Sequence, residues 1–263
     1  MHTAALAELG LAHEWSYEAI EVSAQDFDAR ITSLPGEGFA GVNVTVPHKL
    51  AALALADSAS AAATEIGAAN TLIFNSGKVE AENTDATGLI ESLPETPAGK
   101  RALVFGAGGS ARACVWALTQ ARAEVVIWNR TQFKAEQLAW EFGAGVTHAA
   151  APDDLLAIVD FDLLVNATPL GFADANPRAQ MPGAAPGALK ALPIDADAIS
   201  ERHVVVDLVY GSVPTPLTSA ARRRGACVVD GLEILVRQGA AALRMWTGLE
   251  PPLETMRRAA RGH

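Results

Sequence analysis

A glycine-rich segment from Gly106 to Ala111 has the residue types and spacing of a dinucleotide-binding turn. It follows the apolar run RALVF and precedes a run with helical periodicity, so it lies between a strand and a helix. In such a turn the first glycine allows the bend and the second lets the backbone approach a pyrophosphate, while Ala111 allows close packing. The N–H groups at the start of the helix bind the anion. We therefore predict a nucleotide site here rather than an ordinary glycine-rich turn.

The residues after the next predicted strand, VVIW, indicate which nucleotide binds. NAD enzymes carry an acidic residue near the end of this strand, where it accepts a hydrogen bond from the ribose 2′-hydroxyl. Here Asn129, Arg130 and Thr131 follow the strand directly, and Lys134 comes one turn later. A guanidinium and an ammonium beside uncharged donors suit a 2′-phosphate, so we predict NADP(H). The alternative is that Arg130 and Lys134 are solvated charges at the start of a helix.

The N-terminal part of the chain also places polar residues at the ends of predicted strands. Lys49 follows the run GVNVTV, Asn70 lies in GAANT, and Asp85 follows the run KVEAE. Ligands bind at the carboxyl ends of strands in open α/β sheets, which makes these residues candidates for a site. Taken alone, Lys49 is explained as a solvated residue and Asn70 as a turn residue. Asp85 or Thr84 would then cap a helix.

The elements that must position these residues alternate regularly from residue 101 onward. Short apolar runs bounded by turn formers alternate with runs of helical periodicity, which predicts a doubly wound parallel α/β domain. The predicted elements are strands at 101–106, 124–129, 162–167, 203–209 and 226–230 and helices at 110–122 and 131–143. Between Phe172 and Pro193 the chain is rich in Ala, Pro, Gly and Asn, and we expect a long irregular loop there.

The part before residue 98 is also of the α/β type. Its predicted strands lie at 15–22, 39–46, 70–74 and 78–83. A proline- and glycine-rich joint at 92–100 separates this lobe from the next one. Two predicted helices end the chain, at 232–248 and 251–263. The fold class is thus α/β with two lobes.

Composition excludes several classes of protein. The chain has 263 residues, with 20 Lys and Arg against 30 Asp and Glu, so it lacks the basic excess of a nucleic-acid-binding protein. No apolar run is long enough to span a membrane, and no signal peptide opens the chain. Two cysteines in apolar stretches and six histidines without ligand spacing argue against disulfides and a metal. We expect a cytoplasmic protein that binds small molecules, as a monomer or a homodimer.

Eight short motifs occur in an order that resembles one enzyme family. They are NVTVPHK, GAANT, NTDATG, GAGGSAR, NRT, NAT, DLVY and DGLEILVRQGA, and they extend over essentially the whole chain. In this order they resemble shikimate dehydrogenases, the NADP-dependent enzymes of aromatic amino-acid biosynthesis. The resemblance implies a substrate domain at 1–97, a Rossmann-type NADP domain at 98–233, and C-terminal helices at 234–263 that return to the first domain.

The same resemblance implies roles for individual residues. Lys49 and Asp85 would be the catalytic pair and also contact the substrate. The other substrate residues would be Thr45, Asn70, Tyr210 and Gln238. The cofactor residues would be Gly106, Ala107, Gly108, Gly109, Ser110, Asn129, Arg130, Thr131, Lys134, Leu208 and Gly231.

The implied reaction is the reversible NADPH-dependent reduction of 3-dehydroshikimate to shikimate. Hydride reduction of a ketone leaves developing charge on oxygen, and a lysine both stabilises that charge and donates a proton. A carboxylate beside it would orient the ammonium; which of the two is the formal acid stays open. One alternative is a relative that acts on quinate as well as shikimate, often with NAD. Another is a catalytically silent NADP-binding protein.

The start of the chain departs from the family pattern. Family members begin with a strand and a serine-containing turn of the form SxSLSPxxHN, whose serines hold the substrate carboxylate. Here Met1-His2-Thr3 resembles only the end of that pattern. We expect the natural protein to start upstream of Met1, because every downstream site residue is present.

Overall fold

The computed structural model describes residues 1–143, 146–148, 157–175 and 188–262. The chain divides into two units, each with its own sheet and apolar core. The first unit comprises Met1–Glu91 and Leu235–His263, and the second comprises Ser92–Ile234. Across the described stretches no helix has both the length and the apolar character that crossing a bilayer requires.

The first unit is built on a mixed four-stranded sheet. Its strands are β1 (Gly41–Asn43), β2 (Ser58–Ala59), β3 (Thr71–Asn75) and β4 (Lys78–Glu82). They lie in the order β1-β3-β4-β2, with β2 and β4 parallel and the other pairs antiparallel. The helices are α1 (His2–Glu8), α2 (Phe27–Ser33), α3 (Lys49–Leu55), α4 (Ala61–Ile66) and α5 (Asp85–Ser92). Buried side chains of Phe27, Ile31, Leu34 and Leu72 form its core.

The second unit is built on a six-stranded parallel sheet. Its strands are β5 (Arg101–Phe105), β6 (Glu124–Trp128), β7 (Val146–His148), β8 (Leu163–Asn166), β9 (Val204–Asp207) and β10 (Cys227–Val229). The helices are α6 (Gly109–Gln120), α7 (Gln132–Phe142), α8 (Phe172–Ala175) and α9 (Pro216–Arg223). The order β7-β6-β5-β8-β9-β10 is that of the dinucleotide-binding fold. Every residue of β8 and β9 is buried, as expected for strands covered on both faces.

Two C-terminal helices complete the first unit. They are α10 (Gly231–Thr247), whose residues from Leu235 on belong to that unit, and α11 (Leu253–Ala260). Leu6 of α1 packs with Val236, Leu243 and Met256 in a buried cluster. His2 Nε2 donates to the Gly239 carbonyl oxygen at 3.1 Å. Burial lowers the pKa of His2 to about 4, so this histidine is neutral at pH 7.

The doubly wound α/β prediction is confirmed, and the strands and helices predicted from residue 101 onward lie within two residues of their observed bounds, except that the last helix ends at Ala260, three residues before its predicted end. The strand predicted at 15–22 is wrong: these residues pair with no strand of the described sheet. Tyr17 and Val22 are held there by side-chain contacts instead, to Asn43 and His48. Of the loop predicted from Phe172 to Pro193, residues 176–187 lie outside the described residues.

A buried carboxylate ends β9. Asp207 is fully buried, and its oxygens accept hydrogen bonds from Asn166 Nδ2 at 2.9 Å, the Val209 N–H at 3.1 Å and Thr215 Oγ1 at 2.6 Å. Burial disfavours the charged form more than these donors favour it, which raises the pKa of Asp207 to about 6. Asp207 therefore couples the stability of the second unit to pH.

We expect Asp207→Asn to change how the free energy of unfolding depends on pH. Between about pH 4 and pH 6 the unfolded chain ionises at Asp207 while the folded chain stays protonated, so the wild-type protein loses stability as pH rises. The wild type should lose on the order of 2 kcal/mol relative to Asp207→Asn over this range, with no further change above it. Urea unfolding at a series of pH values measures the difference. Parallel stability profiles for the two proteins would contradict the assignment.

Candidate active site

Lys49 and Asp85 form an ion pair inside the first unit. Lys49 is the first residue of α3, and Asp85 is the first residue of α5. Lys49 Nζ donates to Asp85 Oδ2 at 2.6 Å, with side chains 10% and 12% exposed. Just before α5, Asn83 Oδ1 accepts from the Asp85 N–H at 3.1 Å, which forms an Asx turn that leads into the helix. Asp85 is the first helical residue and not the cap, and its carboxylate points to the lysine.

Asn70 holds the second oxygen of that carboxylate. Its Nδ2 donates to Asp85 Oδ1 at 2.8 Å, and its Oδ1 accepts from the Thr84 N–H at 2.7 Å. A backbone N–H is only a donor and an ionised carboxylate is only an acceptor, so the two ends of the amide cannot be exchanged. Asn70 is 2% exposed. The side chain is thus a fixed bridge between the start of α5 and the ion pair.

Gln238 joins the same cluster from α10. Its Oε1 accepts from Asn70 Nδ2 at 3.1 Å, and its Nε2 donates to the Leu235 carbonyl oxygen at 3.1 Å. Four of the predicted site residues are therefore linked by hydrogen bonds. Thr45 is not among them: its side chain is exposed and makes no hydrogen bond to another described residue.

Three further polar residues extend the cluster, and none was predicted to have a role in the site. Thr71 Oγ1 lies 3.2 Å from both Asn70 Oδ1 and Thr84 Oγ1. Asn43 Nδ2 donates to Thr71 Oγ1 at 3.2 Å. The sequence held a signal for each of them. Thr71 and Thr84 adjoin predicted site residues, and Asn43 lies two positions before Thr45, on the same face of the strand predicted at 39–46.

The glycine-rich turn of the second unit has the geometry that a pyrophosphate needs. Gly106 has φ +115°, and a Cβ there would lie 3.0 Å from the Ala167 carbonyl oxygen, so this position requires glycine. A Cβ on Gly108 would meet no atom within 4 Å, and Gly108 offers no side chain to cap the N-terminus of α6. Open space thus lies before the first turn of α6, whose backbone N–H groups fit a bound anion. Gly109 and Ser110 are the first two residues of that turn.

The residues predicted to select NADP(H) follow β6. Arg130, Thr131 and Lys134 are exposed, while Asn129 Nδ2 donates to the Thr131 carbonyl oxygen at 2.9 Å. Among the described residues, the side chains of Arg130 and Lys134 have no hydrogen-bonding or ionic partner. Two cations without a protein counter-ion fit a ligand that carries an extra phosphate.

Leu208, Tyr210 and Gly231 lie together beyond the end of β9. A Cβ on Gly231 would lie 2.7 Å from the Leu208 carbonyl oxygen and 2.6 Å from that of Val209, so only glycine allows α10 to begin here. Tyr210 is 43% exposed. Residue 107, the remaining predicted cofactor position, is a partly buried alanine of the turn. The described parts of both units contain no group of three or more side chains suited to hold a metal.

Three family models match the chain. The shikimate dehydrogenase substrate binding domain matches residues 1–72, and shikimate/quinate 5-dehydrogenase matches residues 89–170. The shikimate 5′-dehydrogenase C-terminal domain matches residues 231–261. The matches thus include Lys49 and Asn70 in the first, the glycine-rich turn in the second, and Gln238 in the third.

Curated relatives and solved structures agree with these matches. A shikimate dehydrogenase (NADP(+)) of Mesorhizobium japonicum is 41% identical over 97% of this chain and 87% of its own length. The structure of shikimate 5-dehydrogenase from Thermus thermophilus, in complex with NADP(H) and shikimate, superposes with a TM-score of 0.83. It is 38% identical and covers 99% of this chain and 92% of its own.

A quinate dehydrogenase from Corynebacterium glutamicum, solved in complex with NAD, is also similar. Its TM-score is 0.80 at 28% identity, over 100% of this chain and 93% of its own. The identity to the NADP-dependent relatives is higher and extends over nearly the whole length. The chain therefore belongs to the shikimate dehydrogenase family.

Proposed function

We propose that this protein catalyses the reversible NADPH-dependent reduction of 3-dehydroshikimate to shikimate, a step of aromatic amino-acid biosynthesis. The observation that carries the proposal is the Lys49–Asp85 ion pair, joined through Asn70 to Gln238. The relatives named shikimate dehydrogenase (NADP(+)) support the same reaction, and the Thermus thermophilus structure is a complex with NADP(H) and shikimate. The first unit binds the substrate and the second unit binds NADP(H). Cytoplasmic location and the state as monomer or homodimer stay predictions.

Lys49 is the residue that supplies the proton. NADPH, when bound, provides the hydride that reduces the ketone. Both oxygens of Asp85 accept hydrogen bonds, from Lys49 Nζ and Asn70 Nδ2, so the proton of the pair resides on the lysine. An ammonium stabilises the negative charge that develops on the substrate oxygen and then neutralises it by proton transfer. In the oxidative direction Lys49 first releases a proton to solvent, and the neutral amine then receives the proton of the substrate hydroxyl as hydride leaves to NADP.

Asp85 orients the ammonium and compensates its charge. With 10% of the Lys49 side chain exposed, an unpaired ammonium would lose most of its hydration, which costs several kcal/mol. The carboxylate at 2.6 Å offsets this loss and limits the rotation of Nζ. Asn70 holds the carboxylate in turn, so the geometry of the proton donor is set before the substrate binds.

The substrate hydroxyls have several partners of suitable chemistry. Gln238 retains an amide N–H beyond the one given to Leu235, and Thr45 presents an exposed hydroxyl. Tyr210 stays a predicted substrate residue. The ring hydroxyls of shikimate are both donors and acceptors, which amides and hydroxyls match better than charged groups.

The second unit binds NADP(H) through backbone and charge. The turn from Gly106 to Ser110 binds the pyrophosphate with the N–H groups of α6. Asn129 to Lys134 bind the 2′-phosphate, and Leu208 with Gly231 lie at the nicotinamide. The same cations argue against the quinate- and NAD-dependent alternative, because NAD offers them no phosphate to neutralise.

NADPH should bind at least tenfold more tightly than NADH. Charge-assisted hydrogen bonds contribute about 1.5–3 kcal/mol each, so one lost contact already accounts for that ratio. Arg130→Ala should weaken NADPH binding while leaving NADH binding nearly unchanged. Arg223→Ala, an exposed arginine of α9, is the matched control and should change neither. Titration of the tryptophan fluorescence gives both affinities, and equal affinities in the wild type would overturn the NADP assignment.

Lys49→Ala and Asp85→Asn should each lower shikimate oxidation by about 10²–10⁴-fold, because each removes part of the proton donor. Their NADPH affinity should stay close to that of the wild type, since the cofactor residues lie in the other unit. Lys78→Ala, an exposed lysine of β4, is the matched control and should keep full activity. Steady-state NADP reduction measures the rates, and circular dichroism checks the folding. Near-normal turnover in Lys49→Ala would show that another group donates the proton.

A further inference from the structure

The hydroxyl of Thr84 occupies the centre of the polar cluster in the first unit. Thr84 is 1% exposed. Its Oγ1 lies 3.0 Å from Asn70 Nδ2, 3.1 Å from Asn70 Oδ1, 3.2 Å from Thr71 Oγ1 and 3.3 Å from Gln238 Oε1. A capping hydroxyl accepts from a backbone N–H of the first helical turn, whereas these four neighbours of Thr84 Oγ1 are side-chain atoms. The position of this hydroxyl therefore calls for a different explanation.

The neighbouring donors decide where the hydroxyl proton points. Asn70 Oδ1 already accepts from the Thr84 N–H and has Thr71 Oγ1 as a second donor. Thr71 is free to donate because its own oxygen accepts from Asn43 Nδ2. With both lone pairs of Asn70 Oδ1 occupied, the Thr84 proton goes to Gln238 Oε1, and Thr84 Oγ1 accepts from Asn70 Nδ2.

This arrangement fixes the amide of Gln238. Its Oε1 accepts the Thr84 hydroxyl proton, and one Nε2 proton goes to the Leu235 carbonyl oxygen. Of the two Nδ2 protons of Asn70, one goes to Asp85 Oδ1 and the other is shared between Thr84 Oγ1 and Gln238 Oε1. The remaining Nε2 proton is the one left for a substrate hydroxyl. Without the Thr84 hydroxyl, Oε1 keeps a single donor and the glutamine is free to turn.

We propose that Thr84 is a positioning residue whose buried hydroxyl locks the side-chain amides of Asn70 and Gln238 in the orientation that receives the substrate. The proposal rests on the proposed function, because it assigns Gln238 to the substrate. Thr84 itself does not take part in the chemistry, and Lys49 and Asp85 keep their ion pair when its hydroxyl is removed.

Thr84→Val removes the hydroxyl and keeps the β-branched shape. We expect KM for shikimate to rise about tenfold and kcat to change less than about threefold, since the lost contact serves binding of ground and transition state alike. KM for NADP should not change. Thr84→Ser restores the hydroxyl and should return KM to within about threefold of the wild-type value, as a packing role for the methyl would not allow.

Thr218→Val is the matched control. Thr218 is a threonine of α9 in the second unit, 3% exposed, and its hydroxyl donates to the Thr215 carbonyl oxygen at 3.1 Å. Its loss should lower stability to a similar degree without changing KM for shikimate. An equal rise in KM in both variants would mean that general destabilisation, and not positioning, causes the effect.

A second measurement tests the proposal independently of enzyme activity. In ¹⁵N-labelled protein the side-chain NH₂ signal of Gln238, assigned by its absence in Gln238→Ala, should exchange with solvent faster in Thr84→Val than in the wild type and Thr84→Ser. Unchanged exchange together with unchanged KM would overturn the role of Thr84. A wild type that binds NADPH but oxidises no shikimate would contradict the proposed function, while the exchange rates would still decide whether Thr84 holds Gln238.

Discussion

The ion pair of Lys49 and Asp85 sets a requirement that the surrounding residues of the first unit must meet. Two charges removed from water stay favourable only if their remaining hydrogen-bonding positions are filled. Asp85 Oδ1 is filled by Asn70, which is itself buried and must be satisfied in turn by the backbone of Thr84. Each buried partner needs a further partner, and the hydrogen bonds continue through Thr71 and Asn43 to the exposed hydroxyl of Tyr17. The extent of the cluster follows from the burial of a single pair.

The glycine-rich turn of the second unit depends on backbone geometry rather than on a side-chain network. The parallel strands of this unit are buried on both faces, so each apolar run determines where its strand ends. At the end of β5 the close approach of Ala167 demands a residue without Cβ, and Gly106 meets that demand. Arg130 and Lys134, the groups proposed to recognise the nucleotide by charge, are exposed at the surface. The buried apolar sheet thus positions Arg130 and Lys134, whose own side chains are exposed.

This difference explains how much of each unit was predictable from sequence. A parallel strand buried on both faces shows itself as a continuous apolar run, so β5, β6, β8, β9 and β10 were recognisable. The first unit has short strands, and β1 includes only three residues of the predicted run 39–46. Residues 15–22 form no strand, because an alternating pattern does not by itself provide a neighbouring strand to pair with.

The candidate site divides in the same way. The glycine-rich turn and the residues after β6 were recognisable from the types and spacing of neighbouring residues. Gln238 was implied only by family resemblance, because it is 168 positions away from Asn70 and no local pattern connects them. Asn43 and Thr71 were missed as site residues, since a polar residue at a strand end has many uses and only its contacts distinguish them.

The division of the chain into units has a consequence for synthesis on the ribosome. The second unit is one continuous segment, whereas the first needs Leu235–His263 to be complete. At roughly 5–20 residues per second, the nascent first unit waits on the order of ten seconds for the residues that bury Leu6 and bring in Gln238. During that interval α1 has apolar side chains but no partner helix. The residues of α1 are made before the whole second unit, yet they are among the last to reach their final contacts, and the nascent chain has to avoid aggregation until α10 and α11 are made.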